Sequence, residues 1–457
     1  MSTQKNKQTV IVGAGLVGSL LSIALAQKGY AVAVYERRSD MRRYKVDAGR
    51  SINLAISTRG ISALKKLGIA DSILKSAIPM YGRQMHDREG ALTFQKYGAF
   101  ENEYINSISR GTLNQALMTL AENTGKVNFH YQERLTFADL HNRTLHFTNE
   151  TTQKTSEVNA QYVFGTDGSA SVLREAICTK DQIKASILDY GYKELSIPPG
   201  INESHLIEKN ALHIWPRGSF MLIALPNVDG SFTCTLFLPF NGTKAPYTFE
   251  NLNTPAAINE LFEKEFKDVK DLIENKEKSF SANPTGHMTT VKCSPWHYQD
   301  FALLLGDAAH AIVPFFGQGM NCGFEDVSIL FDQLTEGNSL EEIFSDFTNN
   351  RPKDSDAIAD LAVENFIEMR DLVADKKFLL KKAIEKVLER NFHPQYTSRY
   401  SLVSFSDTSY SYAKEIGEIQ KDILEELSQT TSDPEKLDLN NAKKLIDQKL
   451  KGKSKWT

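Results

Sequence analysis

The chain is poor in the groups that staple or anchor a protein. It has four cysteines, Cys178, Cys234, Cys293 and Cys322, in 457 residues, and none forms a C-x-x-C pair. That spacing argues against zinc sites and thioredoxin-type chemistry, and predicts reduced, mostly buried thiols. No apolar run reaches the roughly 18 residues of a spanning helix. The start, "MSTQKNKQ", is polar and runs straight into a strand, so no signal peptide is expected. A net charge of -4 is small for this length and gives no reason to expect nucleic acid or an anionic membrane as partner. No internal repeat or low-complexity segment is present. These readings point to a soluble, cytoplasmic, globular protein with no metal and no membrane anchor.

The richest local signal lies near the start. "TVIVGAGLVGSLLSIALAQKGYAVAVYERR" reads as strand, tight turn, helix and strand, with strands at Thr9–Val12 and Ala31–Tyr35 and a helix over Leu16–Ala26. This is the βαβ opening of a parallel sheet. Gly13, Gly15 and Gly18 form G-x-G-x-x-G at the strand–helix junction. In this pattern Gly13 permits the turn, Gly15 lets backbone approach a pyrophosphate, and Gly18 lets helix and strand pack closely. Glu36 ends the second strand, where an acid binds an unphosphorylated ribose, so the site suits FAD or NAD rather than NADP.

Two more strand–turn–helix junctions follow. Thr166-Asp167-Gly168 precedes Arg174, and Gly306-Asp307 opens "GDAAHAIVPFFGQGMNCGFED". An aspartate at a strand tip accepts hydrogen bonds from ribose or ribityl hydroxyls. The glycine-rich loop Pro314–Gly323 offers N–H donors ahead of a helix, which suits a flavin ring. His310 reads as a structural histidine.

Elsewhere "LNQALMTLAENTG" predicts a helix closed by Gly125. "VNFHYQERL" and "TLHFTNE" alternate like antiparallel strands. Ser219–Phe240 predicts a hairpin turning at Asn227–Gly230, within an antiparallel sheet. From about Phe324 the pattern is helical. The expected fold class is α/β. A Rossmann-like FAD-binding domain (1–75, 105–182, 290–350) is interleaved with an antiparallel β-sheet substrate domain (76–104, 183–289), and a C-terminal helical region spans 351–457.

The fingerprint, D-G and G-D-A-A-H, in that order, resemble the single-component aromatic hydroxylases that use FAD and NAD(P)H. "GRSINLAIS", "LKKLGI", "IPMYGRQMHD", "SISRGTLN", "GDAAHAIVPFFGQGMNCGFED" and "ENFIEMRD" together resemble the kynurenine 3-monooxygenase family, from about Val10 to about Tyr400. The resemblance implies hydroxylation of L-kynurenine to 3-hydroxy-L-kynurenine with NADPH and O2, through a flavin C4a-hydroperoxide on tightly bound FAD. It implies no catalytic protein nucleophile, base or metal. The implied FAD contacts, beyond Gly13, Gly15, Gly18 and Asp167, are Val17, Tyr35, Glu36, Arg37, Arg38, Ala55, Arg110, Leu135, Val172, Asp307, Gly319, Met320 and Asn321. The implied substrate contacts are Arg83, Tyr97, Asn365, Glu368, Met369 and Tyr400, with Arg83, Tyr97 and Tyr400 positioning the ring. Arg83 agrees with this, since a buried carboxylate calls for a guanidinium fork, but without the motif around it Arg83 reads as a surface arginine.

Eukaryotic members of that family carry a hydrophobic C-terminal anchor. This chain ends in the charged "AKKLIDQKLKGKSKWT" and looks like a soluble, bacterial-type form. The absence of a second glycine fingerprint is consistent with NADPH binding transiently in a groove. Competing readings are another FAD-dependent aromatic hydroxylase or flavin reductase and, less favoured, a non-catalytic FAD-binding redox sensor.

Overall fold

The computed structural model describes residues 8–43, 53–242, 245–335, 337–369 and 375–453. Residues 49–52 of "GRSINLAIS" and the last two of "ENFIEMRD" lie outside them, as do both chain ends. The chain divides into two compact units. One comprises Met1–Ala77, Ile108–Leu188 and His287–Ala359; the other comprises Ile78–Ser107, Asp189–Gly286 and Asp360–Thr457.

The first unit is built on a sheet ordered His297–Tyr298, Ala302–Leu304, Thr155–Gly165, Gln8–Val12, Val32–Glu36 and Val127–Tyr131. From Ala302–Leu304 to Val127–Tyr131 every neighbouring pair is parallel. Val10, Ile11, Val34, Val163 and Leu303 are wholly buried, as expected of strands covered on both faces. The helix Leu16–Gln27 is buried continuously from Gly18 to Ala26, so its apolar residues run around most of its circumference. The helix Arg110–Asn123 ends before Gly125, whose φ of 70° terminates it in the left-handed region.

One pairing differs from the sequence pattern. "VNFHY" is a parallel strand against Val32–Glu36, whereas Glu133–Asp139 pairs antiparallel with Thr144–Asn149, which pairs antiparallel in turn with Thr155–Gly165. Alternation reports a half-buried strand but says nothing about the direction of its partner.

In the second unit the strands run Ile183–Ile197 (paired from Tyr190), Phe232–Pro239, Met221–Pro226, Ala211–Pro216, Gly82–His86 and Leu92–Lys96. All pairs are antiparallel except Ala211–Pro216 with Gly82–His86, which is parallel. The hairpin turn closes with Gly230 N–H donating to Asn227 O at 3.2 Å. Trp215, Phe220, Phe232, Phe262 and Phe266 fill the core on one face.

The C-terminal helices belong to this same unit rather than to a separate third one. Lys376–Phe392, Arg399–Ser404, Tyr410–Thr430 and Leu439–Lys449 begin at Asp375, Ser398, Ser409 and Asp438, each accepting a first-turn N–H on its side chain. Among the described residues no helix is long and apolar enough to cross a membrane.

Candidate active site

In the first unit, Val12, Gly165, Leu304 and Tyr35 lie side by side in register at the C-terminal ends of parallel strands. Gly13, Thr166-Asp167, Gly306-Asp307 and Glu36 follow at that edge. This is where open parallel sheets bind ligands. Three motifs spread over some three hundred residues of sequence thus converge through strand pairing.

The glycines of the fingerprint separate into two kinds. A Cβ on Gly13 would meet Thr166 O at 2.5 Å, and one on Gly18 would meet Gly13 O at 2.0 Å. Both are glycine because protein packs against them. Gly15 has no atom within 4 Å of that position, and its φ of -71° suits any residue. Among the described residues nothing requires glycine there, and the open space suits close approach of a pyrophosphate. The helix that Gly15 opens has no side-chain cap and no acid in its first turn. Its free N–H groups and dipole suit an anion.

The acids are disposed differently from one another. Asp307 is exposed at the strand tip. Asp167 Oδ2 accepts from Val172 N at 2.9 Å, while its buried Oδ1 has no partner. Burial pushes the Asp167 carboxyl up. Glu36 accepts from Ala14 N and Arg38 N, each at 2.9 Å, and from Arg38 Nε at 3.0 Å. It therefore braces the fingerprint loop. These features fit a flavin dinucleotide.

The other expected cofactor residues vary in what they present. Arg37, Arg38 and Arg110 are exposed, and Val17, Ala55 and Gly319 are half-buried. The Tyr35 ring is in the core, stacked 4.2 Å from Phe147, and Leu135 is buried as well. Tyr35 instead offers backbone, its carbonyl accepting from Gly13 N at 2.7 Å. Met320 is buried. Asn321 is fully engaged, accepting from Ser57 N at 3.0 Å and donating to Ala55 O and Gly317 O. Its amide fixes the start of the helix Gly319–Gln333 to the strand Asn53–Ile56.

Sequence reasoning missed the residues that hold these loops in place. Buried Asp326 accepts from Gly306 N at 2.9 Å, from His310 Nε2 at 2.6 Å and from Arg351 Nη2 at 2.8 Å. Burial opposes both charges of the His310–Asp326 pair. Their mutual attraction overcomes it, with Cys322 adding to the pull on His310 and Arg351 to that on Asp326, so His310 is held well above its usual range and Asp326 below its own. His310 is structural, as its sequence context suggested. His310, Cys322 and Asp326 lie within metal-ligand reach of one another, but the Arg351 guanidinium already occupies Asp326. Arg174 donates to Ala308 O and Ser169 O at 2.9 and 2.7 Å. Asn114 donates to Ala14 O at 2.9 Å. The only sequence signal for Asn114 was its place in "SISRGTLN".

In the second unit, Arg83, Tyr97 and Tyr400 meet. The Arg83 guanidinium lies 5.6 Å from the Tyr97 ring centre and 5.3 Å from that of Tyr400. Arg83 leaves Gly82–His86, and Tyr97 follows the paired strand Leu92–Lys96, its N–H donating to Tyr81 O at 3.1 Å. Arg83 Nε and Tyr97 Oη are buried and make no hydrogen bond of good geometry, although the Tyr97 hydroxyl lies against the Arg83 guanidinium. Burial pushes the Tyr97 and Tyr400 phenols up. For Arg83 burial acts against the charge, and Tyr400, Tyr97 and Glu368 outweigh it. Asn365 lies in the last turn of the helix Leu340–Ile367, donating to Met369 Sδ at 3.5 Å. Glu368 lies 3.5 Å from Lys382 Nζ. Buried polar atoms left without partners are costly, and Arg174 and Tyr396 carry others elsewhere.

The parallel sheet, the fingerprint and the acids at its C-terminal edge define an FAD-binding flavoprotein. Residues 6–341 match the family model of the FAD binding domain. The chain is 50% identical over 452 residues to the kynurenine 3-monooxygenase of Myxococcus xanthus, covering 98% of this chain and 97% of that one. It is 44% identical over 446 residues to that of Christiangramia forsetii, with 97% and 98% covered, and 43% identical over 462 residues to that of Dictyostelium discoideum, with the same coverages. The chain belongs to the kynurenine 3-monooxygenase family. Solved structures share the fold at low identity. The tetrameric form of 2-methyl-3-hydroxypyridine-5-carboxylic acid oxygenase has a TM-score of 0.64 at 21% identity, covering 82% of this chain and 96% of that one. The p-nitrophenol 4-monooxygenase of Pseudomonas putida has 0.64 at 15%, covering 92% and 97%.

Proposed function

We propose that this chain is an FAD-dependent monooxygenase that hydroxylates L-kynurenine to 3-hydroxy-L-kynurenine with NADPH and O2. The observation that carries the reading, alongside family membership, is the Arg83–Tyr97–Tyr400 group with its buried Nε and Oη. The first unit is the FAD-binding unit and the second the substrate unit.

FAD, when bound, supplies the reduction by NADPH and the activation of O2. The protein's own residues bind, orient and exclude water. Gly15 and the uncapped helix behind it receive the pyrophosphate, Glu36 a ribose, and Asp307 the ribityl chain. Arg83 forks onto the amino-acid carboxylate, and Tyr97 and Tyr400 flank it with hydroxyls on apolar bodies. Asn365, Glu368 and Met369 complete the substrate contacts. The substrate ring is already activated by its amino group, so no protein base is assigned. Placement of the ring carbon and exclusion of water decide between product and hydrogen peroxide. The four free, buried cysteines suit a reducing, cytoplasmic setting.

The test is NADPH consumption by purified holoenzyme with and without L-kynurenine, read alongside product mass. Kynurenine-stimulated oxidation with a product heavier by one oxygen supports the reading. Stimulation without that product, or none at all, refutes it.

A further inference from the structure

Tyr400 is the second residue of a short helix, Arg399–Ser404. Its start hangs from two buried side chains of neighbouring helices. Glu389, on Lys376–Phe392, accepts from Ser398 N at 2.9 Å and from the Ser401 hydroxyl. Gln420, on Tyr410–Thr430, accepts from Arg399 N at 3.0 Å and donates to Thr397 O at 2.7 Å. The serines are linked to each other, Ser398 Oγ donating to Ser401 Oγ at 3.0 Å and accepting from Ser401 N at 3.1 Å. Glu389 and Gln420 are each 2% exposed.

The amide of Gln420 shows that a neutral acceptor suffices for a neighbouring backbone donor, so a carboxylate at Glu389 needs another reason. Among the described residues it forms no ion pair. Glu103 faces it from the turn after Tyr97, Glu385 from its own helix and the buried Tyr396 phenol from the following link. Lys386 and Arg390 share its helix, but Lys386 Nζ is turned to Lys96 O at 2.8 Å. Arg399 is turned to Glu364 at 2.9 Å.

We infer that Glu389 is a positioning residue of the Arg83–Tyr97–Tyr400 site, and that gain or loss of its proton resets the seat of Tyr400. As an anion it accepts from Ser398 N–H and Ser401 O–H together. As an acid it carries a donor of its own. The Ser401 hydroxyl must then accept, and the chain through Ser398 Oγ reverses or opens. Burial, aided by Glu103 and Glu385, pushes the Glu389 carboxyl up to about 7 against the pull of the two serine donors. The exchange therefore falls near neutrality. With the folded value raised, the neutral form is the one favoured by folding, and the charged seat is populated only as pH rises through about 7.

The inference rests on the substrate reading above, and the experiment separates the two. L-kynurenine is titrated against the holoenzyme across about pH 5.5–8.5, a range spanning the carboxyl's titration. The wild type should bind about three- to tenfold more tightly on the alkaline side, the size expected for weakening one hydrogen bond. Glu389→Gln keeps an acceptor for Ser398 N–H but presents N–H to Ser401, as the acid does. Its affinity should be flat with pH and equal to the low-pH wild-type value, with the change falling on KM more than on kcat. Ser401→Ala removes a donor to the anion and should move the midpoint to higher pH. The infrared carbonyl band of a protonated carboxyl should titrate near neutrality in ligand-free enzyme and be missing from Glu389→Gln. Normal binding with superimposable wild-type and Glu389→Gln profiles overturns the inference. If Glu389→Gln does not accumulate folded, superimposable wild-type and Ser401→Ala profiles do so. Kynurenine binding at no pH overturns the substrate reading, and this inference with it.

Discussion

The rings of Tyr97 and Tyr400 lie parallel, 7° from coplanar with centres 5.7 Å apart, and the Arg83 guanidinium stands near both. This arrangement comes at a cost, because the buried Tyr97 Oη makes no hydrogen bond of good geometry. Tyr97→Phe removes that hydroxyl. The ligand-free variant should be more stable by about 1 kcal/mol, the lower end of the cost of an unsatisfied buried group, while its affinity for L-kynurenine falls. Thermal unfolding and ligand titration read the two effects separately. A variant that loses stability and keeps affinity would show the hydroxyl to be structural.

Arg83→Met deletes the fork itself. Each charge-assisted bond from a desolvated site is worth about 1.5–3 kcal/mol, so kynurenine affinity should fall on the order of a hundredfold. Flavin content should not change. Arg83→Lys should recover only part, because an ammonium cannot make the planar pair of bonds. More of the NADPH consumed should appear as peroxide, since a ring misplaced by about an ångström costs roughly a hundredfold in rate. Unchanged affinity and coupling in Arg83→Met would remove Arg83 from the site.

Gly15 and Gly18 should fail in different ways. A Cβ on Gly15 meets no atom of the described residues within 4 Å, and the position needs no unusual backbone. Gly15→Val should fold with near wild-type stability and emerge with little yellow cofactor. Gly18→Val drives side-chain atoms into Gly13 O and Thr166, and overpacking of that kind typically costs about 1–3 kcal/mol. The flavin-to-protein absorbance ratio and the urea midpoint, measured together, distinguish them. Full occupancy in Gly15→Val refutes the placement of the pyrophosphate.

Asp326→Asn leaves His310 and Arg351 buried without their carboxylate. Breaking a buried pair this way costs about 3–5 kcal/mol. His310 has a folded value above its unfolded one of about 6.5. Its contribution is therefore full below that pH and is lost as pH rises through the raised value. The stability gap between wild type and Asp326→Asn should be widest at mildly acidic pH, below about 6.5, and narrow steadily into alkali. Urea unfolding of both proteins across that range checks it, and a gap that widens in alkali would contradict the assignment of charge.

What could be read from sequence was what neighbouring residues decide. The fingerprint, the hairpin at Asn227–Gly230 and the strand–turn–helix junctions at Asp167 and Asp307 are local patterns with local causes. The direction of Val127–Tyr131 was not legible, because it depends on a partner strand almost a hundred residues away. Asp326, Arg351 and Arg174 were missed for the same reason. Each looks like an ordinary surface charge until folding brings it beneath a loop backbone. Tyr35 and Leu135 were legible as positions but not as orientations, since the side of the sheet a ring faces is set by register. The Arg83 group was found only through the family resemblance; Arg83, Tyr97 and Tyr400 come from segments that no periodicity connects.

The sheet order carries a consequence for synthesis. The strand Ala302–Leu304 completes the parallel row beside Thr155–Gly165, yet Asp189–Gly286 of the other unit is translated in between. A chain leaving the ribosome must carry Thr155–Gly165 with a bare apolar edge until the "FALLL" segment arrives. Open edges of this kind recruit other strands. The nascent protein is thus most exposed to aggregation and to chaperone capture in that interval, and slowing translation there should lengthen it.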